Sequence, residues 1–297
     1  MTYQLFKRAS TFLAVLGFMA NFFIGLFLFP CGYRDAYGGT VYFHGIWGAR
    51  YQVKSIGGTI FVMILLMAAT DLLLMVLFEI VAKRKHGYKI SLLYDRLSVQ
   101  DFLEEYRPII EQMNNNARVS HTLPGLWAQL HYARGLVESG NIDSAVHMLK
   151  IILYDRALLD KRYADVKGAA YLAILRCQYL LGNPEAAKDY AEKLQSLYEG
   201  LDYSNKKRTG RYYPKYIAQA SAAEAVFSGS HMEVLSYFHD TLAKSTDNLQ
   251  RLHCHCYLAV LYNAHGERES ACQELCKAHS GERLHSFIEA KKRCGLE

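Results

Sequence analysis

SGNIDSAVHML, Ser139 to Leu149, decides how this chain is read. A glycine turn breaks an apolar helical pattern, and a second apolar helix follows it. The arrangement recurs downstream. Leu181-Gly182-Asn183-Pro184-Glu185-Ala186-Ala187 is the clearest copy, and His265-Gly266-Glu267-Arg268-Glu269-Ser270-Ala271 is close to it. Ser228-Gly229-Ser230-His231-Met232-Glu233-Val234 is a degenerate version. Five residues after each glycine stands a small or β-branched residue: Ala145, Ala187, Val234 and Ala271. Each turn therefore joins two helices that must approach closely.

Over roughly residues 124–280 this pattern resembles the tetratricopeptide repeat, whose glycine sits at the interhelix turn and whose alanine lets the helices touch. The turn glycines here are 42, 47 and 37 residues apart, longer than the usual period of about 34. Insertions at Asp155–Lys167 and Asn205–Tyr213 account for the excess. Ala133, Ala222 and Ala259 occupy the place of the family's first-helix glycine, where the second copy has Leu175. The second copy also has Gln178 where an aromatic is usual. The preceding LLYDRLSVQDFLEEYRPIIEQ resembles membrane-tethered repeat proteins of Gram-positive bacteria that carry no known chemistry. In it, Ser98 to Asp101 reads as a capped helix start, Pro108 as a kink and Asn114–Asn116 as the stop.

The resemblance implies stacking of helix pairs and partner binding on the concave face lined by first helices. Counted from the turn glycines, the groove positions are Trp127, Leu130 and Arg134 in the first copy, then Leu172, Arg176 and Tyr179 in the second. Tyr216, Gln219 and Val226 follow in the third, and His253, Cys256 and Asn263 in the fourth. Arg134 and Arg176 fall at equivalent positions. As a pair they suit a carboxylate or an acidic peptide segment; the competing expectation is that each pairs with a nearby Glu, such as Glu138 four residues after Arg134.

Ahead of the repeats the chain changes character. Thr11 to Phe29 carries no charge, and nineteen helical residues cross about 28 Å, close to the hydrocarbon thickness. A second apolar run, Ile56 to Val81, includes Asp71 and Glu79. Lys7-Arg8 and Lys83-Arg84-Lys85 flank the outer ends of the pair, which puts both termini in the cytosol and residues 31–54 in a short outer loop. Thr40 to Phe43 reads as a short strand there. Ala14, Gly17, Asn21 and Gly25 share one helix face. Asn21 and Asp71 lie 13 and 12 residues from basic anchors, matching depths that suit an intramembrane polar pair.

Residues 1–85 hold eight Lys/Arg against three acids, so nearly all of the chain's formal +6 sits around the apolar runs. A nucleic-acid-binding domain would carry that excess itself, and no nucleic acid is expected. His253-Cys254-His255-Cys256 with Cys272, Cys276 and His279 has ligand chemistry but no C-x-x-C pair, and adjacent positions on a helix point about 100° apart. No metal or cofactor is expected, and no catalytic motif is present. The basic-aromatic loop Lys206 to Lys215 reads as a solvated connection.

The expectation is thus an all-α protein: a transmembrane hairpin over residues 1–89 and a cytosolic repeat solenoid over 90–297. It would be a non-enzymatic adaptor for protein partners at a membrane, the bacterial cell membrane by the resemblance. An accessory or sensory subunit working through the hairpin and outer loop is the alternative.

Overall fold

The computed structural model describes residues 84–208, 212–228 and 233–296, with scattered positions before them. The chain divides between Gly87 and Tyr88 into two compact units. In the first, Tyr33–Arg34 pairs antiparallel with Thr40–Val41, so the strand expected at Thr40 to Phe43 has a partner over its first two residues, the others lying outside the described residues. The two apolar spans lie almost wholly outside the described residues, as do Asn21 and Asp71. Among the described residues, no helix is long and apolar enough to cross a membrane.

The second unit is all-helical. Residues 84–94 are helical. Then come α1 (Val99–Asn114), α2 (Ala117–Ser120), α3 (Leu123–Glu138), α4 (Ile142–Leu153), α5 (Ala164–Leu180) and α6 (Pro184–Glu199). After these follow α7 (Tyr203–Arg208), α8 (Tyr213–Ser228), α9 (Glu233–Lys244), α10 (Asn248–Ala264), α11 (Arg268–Lys277) and α12 (His285–Arg293). Helix α1 runs unbroken through Pro108 and ends at the asparagines. The insertion after α4 holds two 3-10 turns, Arg156–Leu159 and Lys161–Tyr163.

The recurring stretch is a helix stop of one kind. Gly140, Gly182 and Gly266 have φ of +83°, +73° and +81°. In each, the glycine N–H bonds the carbonyl three residues back, and the next N–H bonds the one five back. Gly140 reaches Val137 while Asn141 reaches Leu136; Gly182 reaches Tyr179 while Asn183 reaches Gln178; Gly266 reaches Asn263 while Glu267 reaches Tyr262. This Schellman closure satisfies two orphan carbonyls, and its left-handed residue favours glycine. Ala145, Ala187 and Ala271 are then fully buried against the preceding helix. A larger side chain there would force the pair apart.

Four helix pairs result: α3/α4, α5/α6, α8/α9 and α10/α11. Their first helices pack in series, α3 on α5, α5 on α8, α8 on α10. The series does not end open. Helix α10 packs on α12, and α12 returns to α3. A shared core joins the same ends: Leu92, Leu93, Phe102, Tyr106 and Ala128 cluster with Leu249 and Leu284. Leu97, φ +56°, ends the helical residues 84–94 in the left-handed region. A non-glycine there costs about 1–2 kcal/mol. Its side chain packs into both that core and the one beneath α8–α12, where burial of a leucine recovers about 1.5–3 kcal/mol. Asn248 Nδ2 adds a hydrogen bond to the Asp95 carbonyl at 2.7 Å. The helix pairs form the solenoid-like array anticipated, and α12 brings its five inner helices round into a ring.

Candidate functional site

The ring surrounds a partly open cavity of about 530 Å³. Of the positions read as groove-facing, Trp127, Arg134, Leu172, Arg176, Tyr216, Gln219, Val226, His253 and Cys256 line it. Leu130 does not: it is fully buried in the core between the first two pairs. Tyr179 is likewise buried, stacked on Phe227 with ring centroids 4.9 Å apart. Asn263 sits at the end of α10 and bonds the Arg293 carbonyl. Leu130 lies about 60° around α3 from Trp127, on the flank that packs against α4 and α5 rather than on the cavity face.

Arg134 and Arg176 come from adjacent inner helices and face the same space, close enough to act electrostatically on each other. Among the described residues neither has a carboxylate partner within ion-pair distance, although the Glu138 charge acts on Arg176 at longer range. Arg134 Nη1 donates to the Tyr94 hydroxyl at 3.0 Å. Arg176 Nε and Nη2 donate to the Tyr257 hydroxyl at 3.0 and 2.5 Å, with the guanidinium 5.3 Å from that ring's centroid. Burial works against both charges; the Tyr94 hydroxyl beside Arg134, and the Tyr257 hydroxyl together with the Glu138 charge near Arg176, outweigh it and hold each pKa above the ordinary arginine value. A phenol oxygen accepts a hydrogen bond but brings no negative charge.

The expected partner of Arg134, Glu138, is engaged elsewhere. His253 Nε2 donates to Glu138 Oε1 at 2.8 Å, and Ser286 Oγ donates to Oε2 at 2.6 Å, with the Ser286 N–H at 3.4 Å. With its proton on Nε2, His253 can accept weakly from Arg176 Nη2 through Nδ1, 3.5 Å away. Burial opposes the Glu138 charge, and His253 and Ser286 overcome it, leaving the carboxyl below its usual range. This carboxylate ties α3 to α10 and α12 at the seam of the ring.

The remaining wall is apolar and aromatic: Trp127, Leu172, Tyr216, Phe227, Phe238 and Val260 are among its residues. Burial pushes the Tyr216 hydroxyl up to about 12, the nearby Arg134 charge notwithstanding. Such a mixture, apolar walls with a few converging polar groups, is what small-ligand pockets present.

Compared with known proteins, the chain matches no family model, no curated protein and no solved structure.

The cysteine-histidine cluster separates in space. His253 goes to Glu138, whereas His255 Nδ1 lies 2.6 Å from Glu274, which also takes Lys277 at 2.6 Å. Cys254 and Cys256 are buried in the core under α10, and burial raises the Cys254 thiol to about 11, far from a reactive thiolate. Among the described residues no group of three or more His, Cys, Asp or Glu could hold a metal ion. The basic-aromatic loop also divides. Tyr213 is fully buried and donates to the Ala164 carbonyl, while Tyr212 and Lys215 line the cavity.

Sequence reasoning missed Tyr94, Tyr257 and Ser286 as members of this site. Tyr257 lies four residues after His253 and was reachable from helical spacing alone. Tyr94 and Ser286 lie outside the repeats and reach the cavity only because the ring closes.

Proposed function

We propose that this chain is a membrane-tethered helical-repeat adaptor that captures an acidic group of a protein partner inside its repeat unit. The observation that carries the reading is the pair of guanidiniums, at equivalent positions of successive repeats, facing one cavity with no carboxylate within ion-pair distance among the described residues. A partner's acid would supply the charge that the phenols of Tyr94 and Tyr257 do not.

The tether is read from the two uncharged runs, Thr11–Phe29 and the first part of Ile56–Val81, and from the basic residues outside them. It is supported by Leu72, Leu73, Val76, Leu77, Ile80 and Val81, all large apolar side chains left exposed by the protein itself. Uncovered apolar residues recurring in pairs four apart suit lipid. Asn21 and Asp71 would pair between the spans and hold them together.

Crosslinking the full-length protein in its native membrane tests the function. Wild type is expected to capture a protein that Arg134→Glu/Arg176→Glu does not. Retained capture by the double variant would place the binding surface on the hairpin or outer loop instead, as in a subunit of a membrane complex. Membrane-impermeant labelling of single cysteines at positions 45 and 200 tests the tether; labelling of position 45 alone from outside is expected.

A further inference from the structure

We infer that the ring interior binds a carboxylate carried on a compact apolar body, with the carboxylate between Arg134 and Arg176 and the body against the aromatic wall. This rests on the binding reading above and names the ligand chemistry.

Charge is the first argument. The cavity is lined by four cationic side chains, Arg134, Arg176, Lys215 and Arg293, and by three carboxylates, Glu138, Asp247 and Glu289. The carboxylates are occupied. Glu138 is held by His253 and Ser286, Glu289 Oε1 takes Arg293 at 2.8 Å, and Asp247 caps α10 through the Gln250 N–H at 2.7 Å. Among the described lining residues one positive charge remains in excess; Arg134 and Arg176 have phenols rather than carboxylates within hydrogen-bond distance, with the Glu138 charge acting on Arg176 at longer range. A partly buried cation without a counter-charge is costly. A single negative charge completes the site. A doubly charged phosphate would overshoot it and meet the three resident carboxylates.

Size and surface are the second argument. A space of about 530 Å³ lies within the range of small-ligand pockets. Trp127, Tyr216, Phe227 and Phe238 offer ring faces and edges to an apolar or aromatic body. The guanidiniums retain N–H groups beyond those given to Tyr94 and Tyr257, so an entering carboxylate adds bonds without breaking these.

Two sources present this chemistry, a free organic acid and the C-terminus of a polypeptide ending in an apolar residue. The full-length chain in nanodiscs would be titrated with 3-phenylpropanoate, its amide, phenyl phosphate, and an acetylated Leu-Phe dipeptide as free acid and as amide. The readout is the fluorescence of Trp127, isolated in a Trp47→Phe background because the chain has two tryptophans. Saturable binding of a free acid, weakened at least about tenfold by amidation and by either Arg134→Gln or Arg176→Gln, is expected. Preference for 3-phenylpropanoate identifies a small acid as the source, and preference for the dipeptide acid identifies a chain terminus. Equal binding of acids and amides, tighter binding of phenyl phosphate, or no binding of any probe to a chain with wild-type circular dichroism would overturn the inference. A cavity that fails these titrations while crosslinked capture still depends on both arginines would leave the adaptor reading in place.

Discussion

Glu138→Ala should open the ring at its seam. The side chain is 4% exposed and accepts hydrogen bonds from His253 and Ser286. Its loss removes two charge-assisted bonds and leaves both donors buried without their acceptor. Breaking a buried pair of this kind costs about 3–5 kcal/mol. Glu138→Gln keeps the shape, its oxygen can still accept from His253 and its NH2 can donate to the Ser286 hydroxyl, so it should cost less, about 1–2 kcal/mol. The loss should be local before it is global, because Ser286 belongs to the short terminal helix α12. Hydrogen exchange followed by mass spectrometry reads this directly. Amides of α12 should exchange roughly two to four powers of ten faster in Glu138→Ala, by the same free energy. Those of α5, whose core lies between the first two pairs, should change far less. Acid should act in the same direction. The folded carboxyl titrates below its ordinary value of 4.5, so its stabilisation is complete above about pH 4.5 and fades as pH falls through the folded value. Unchanged exchange of α12 in Glu138→Ala would refute the seam as the bond that closes the ring.

Two glycines should fail for different reasons. Gly182→Ala meets nothing within 4 Å, but its φ of +73° should cost about 1–2 kcal/mol in a denaturant titration. Gly135→Ala gains about 1 kcal/mol of helix propensity, yet its Cβ would sit 2.6 Å from the Phe102 ring; the overpacking cost of about 1–3 kcal/mol should win, lowering the unfolding midpoint. Tyr213→Phe leaves the Ala164 carbonyl without the hydroxyl that it accepts and should destabilise by about 1–2 kcal/mol, measured the same way.

The repeats were legible because their signals are local. A glycine that must be left-handed, and an alanine five residues later that must be small, are consequences of one turn and one close contact. Arg134 and Arg176 were legible by the same logic, since equivalent positions of similar units face equivalent directions. Closure left no such mark. It depends on Glu138 meeting Ser286 across 148 residues and Asp95 meeting Asn248 across 153. Helical periodicity reveals that a helix has an apolar face but not which helix will cover it. The i+4 rule likewise proposed Glu138 for Arg134, and a more distant histidine and serine took it. Leu130 and Tyr179 went into packed cores for a related reason: the count from a turn glycine gives a position on the helix, whereas the rotation of that helix is set by its neighbours.

A closed circle of helices has a fixed number of members. A solenoid with free ends can lose or gain a unit at little cost, since each new pair only extends the stack. Here a deleted pair would leave α12 too far from α3 for Glu138 to bridge, and an added pair would push them apart. Tolerance to changes in chain length is therefore confined to the connections between pairs. The turn glycines are unequally spaced, 42, 47 and 37 residues apart. The extra residues lie in the 3-10 turns after α4 and around α7, outside the inner circle. Lengthening those connections should be tolerated, and duplicating any one helix pair should not.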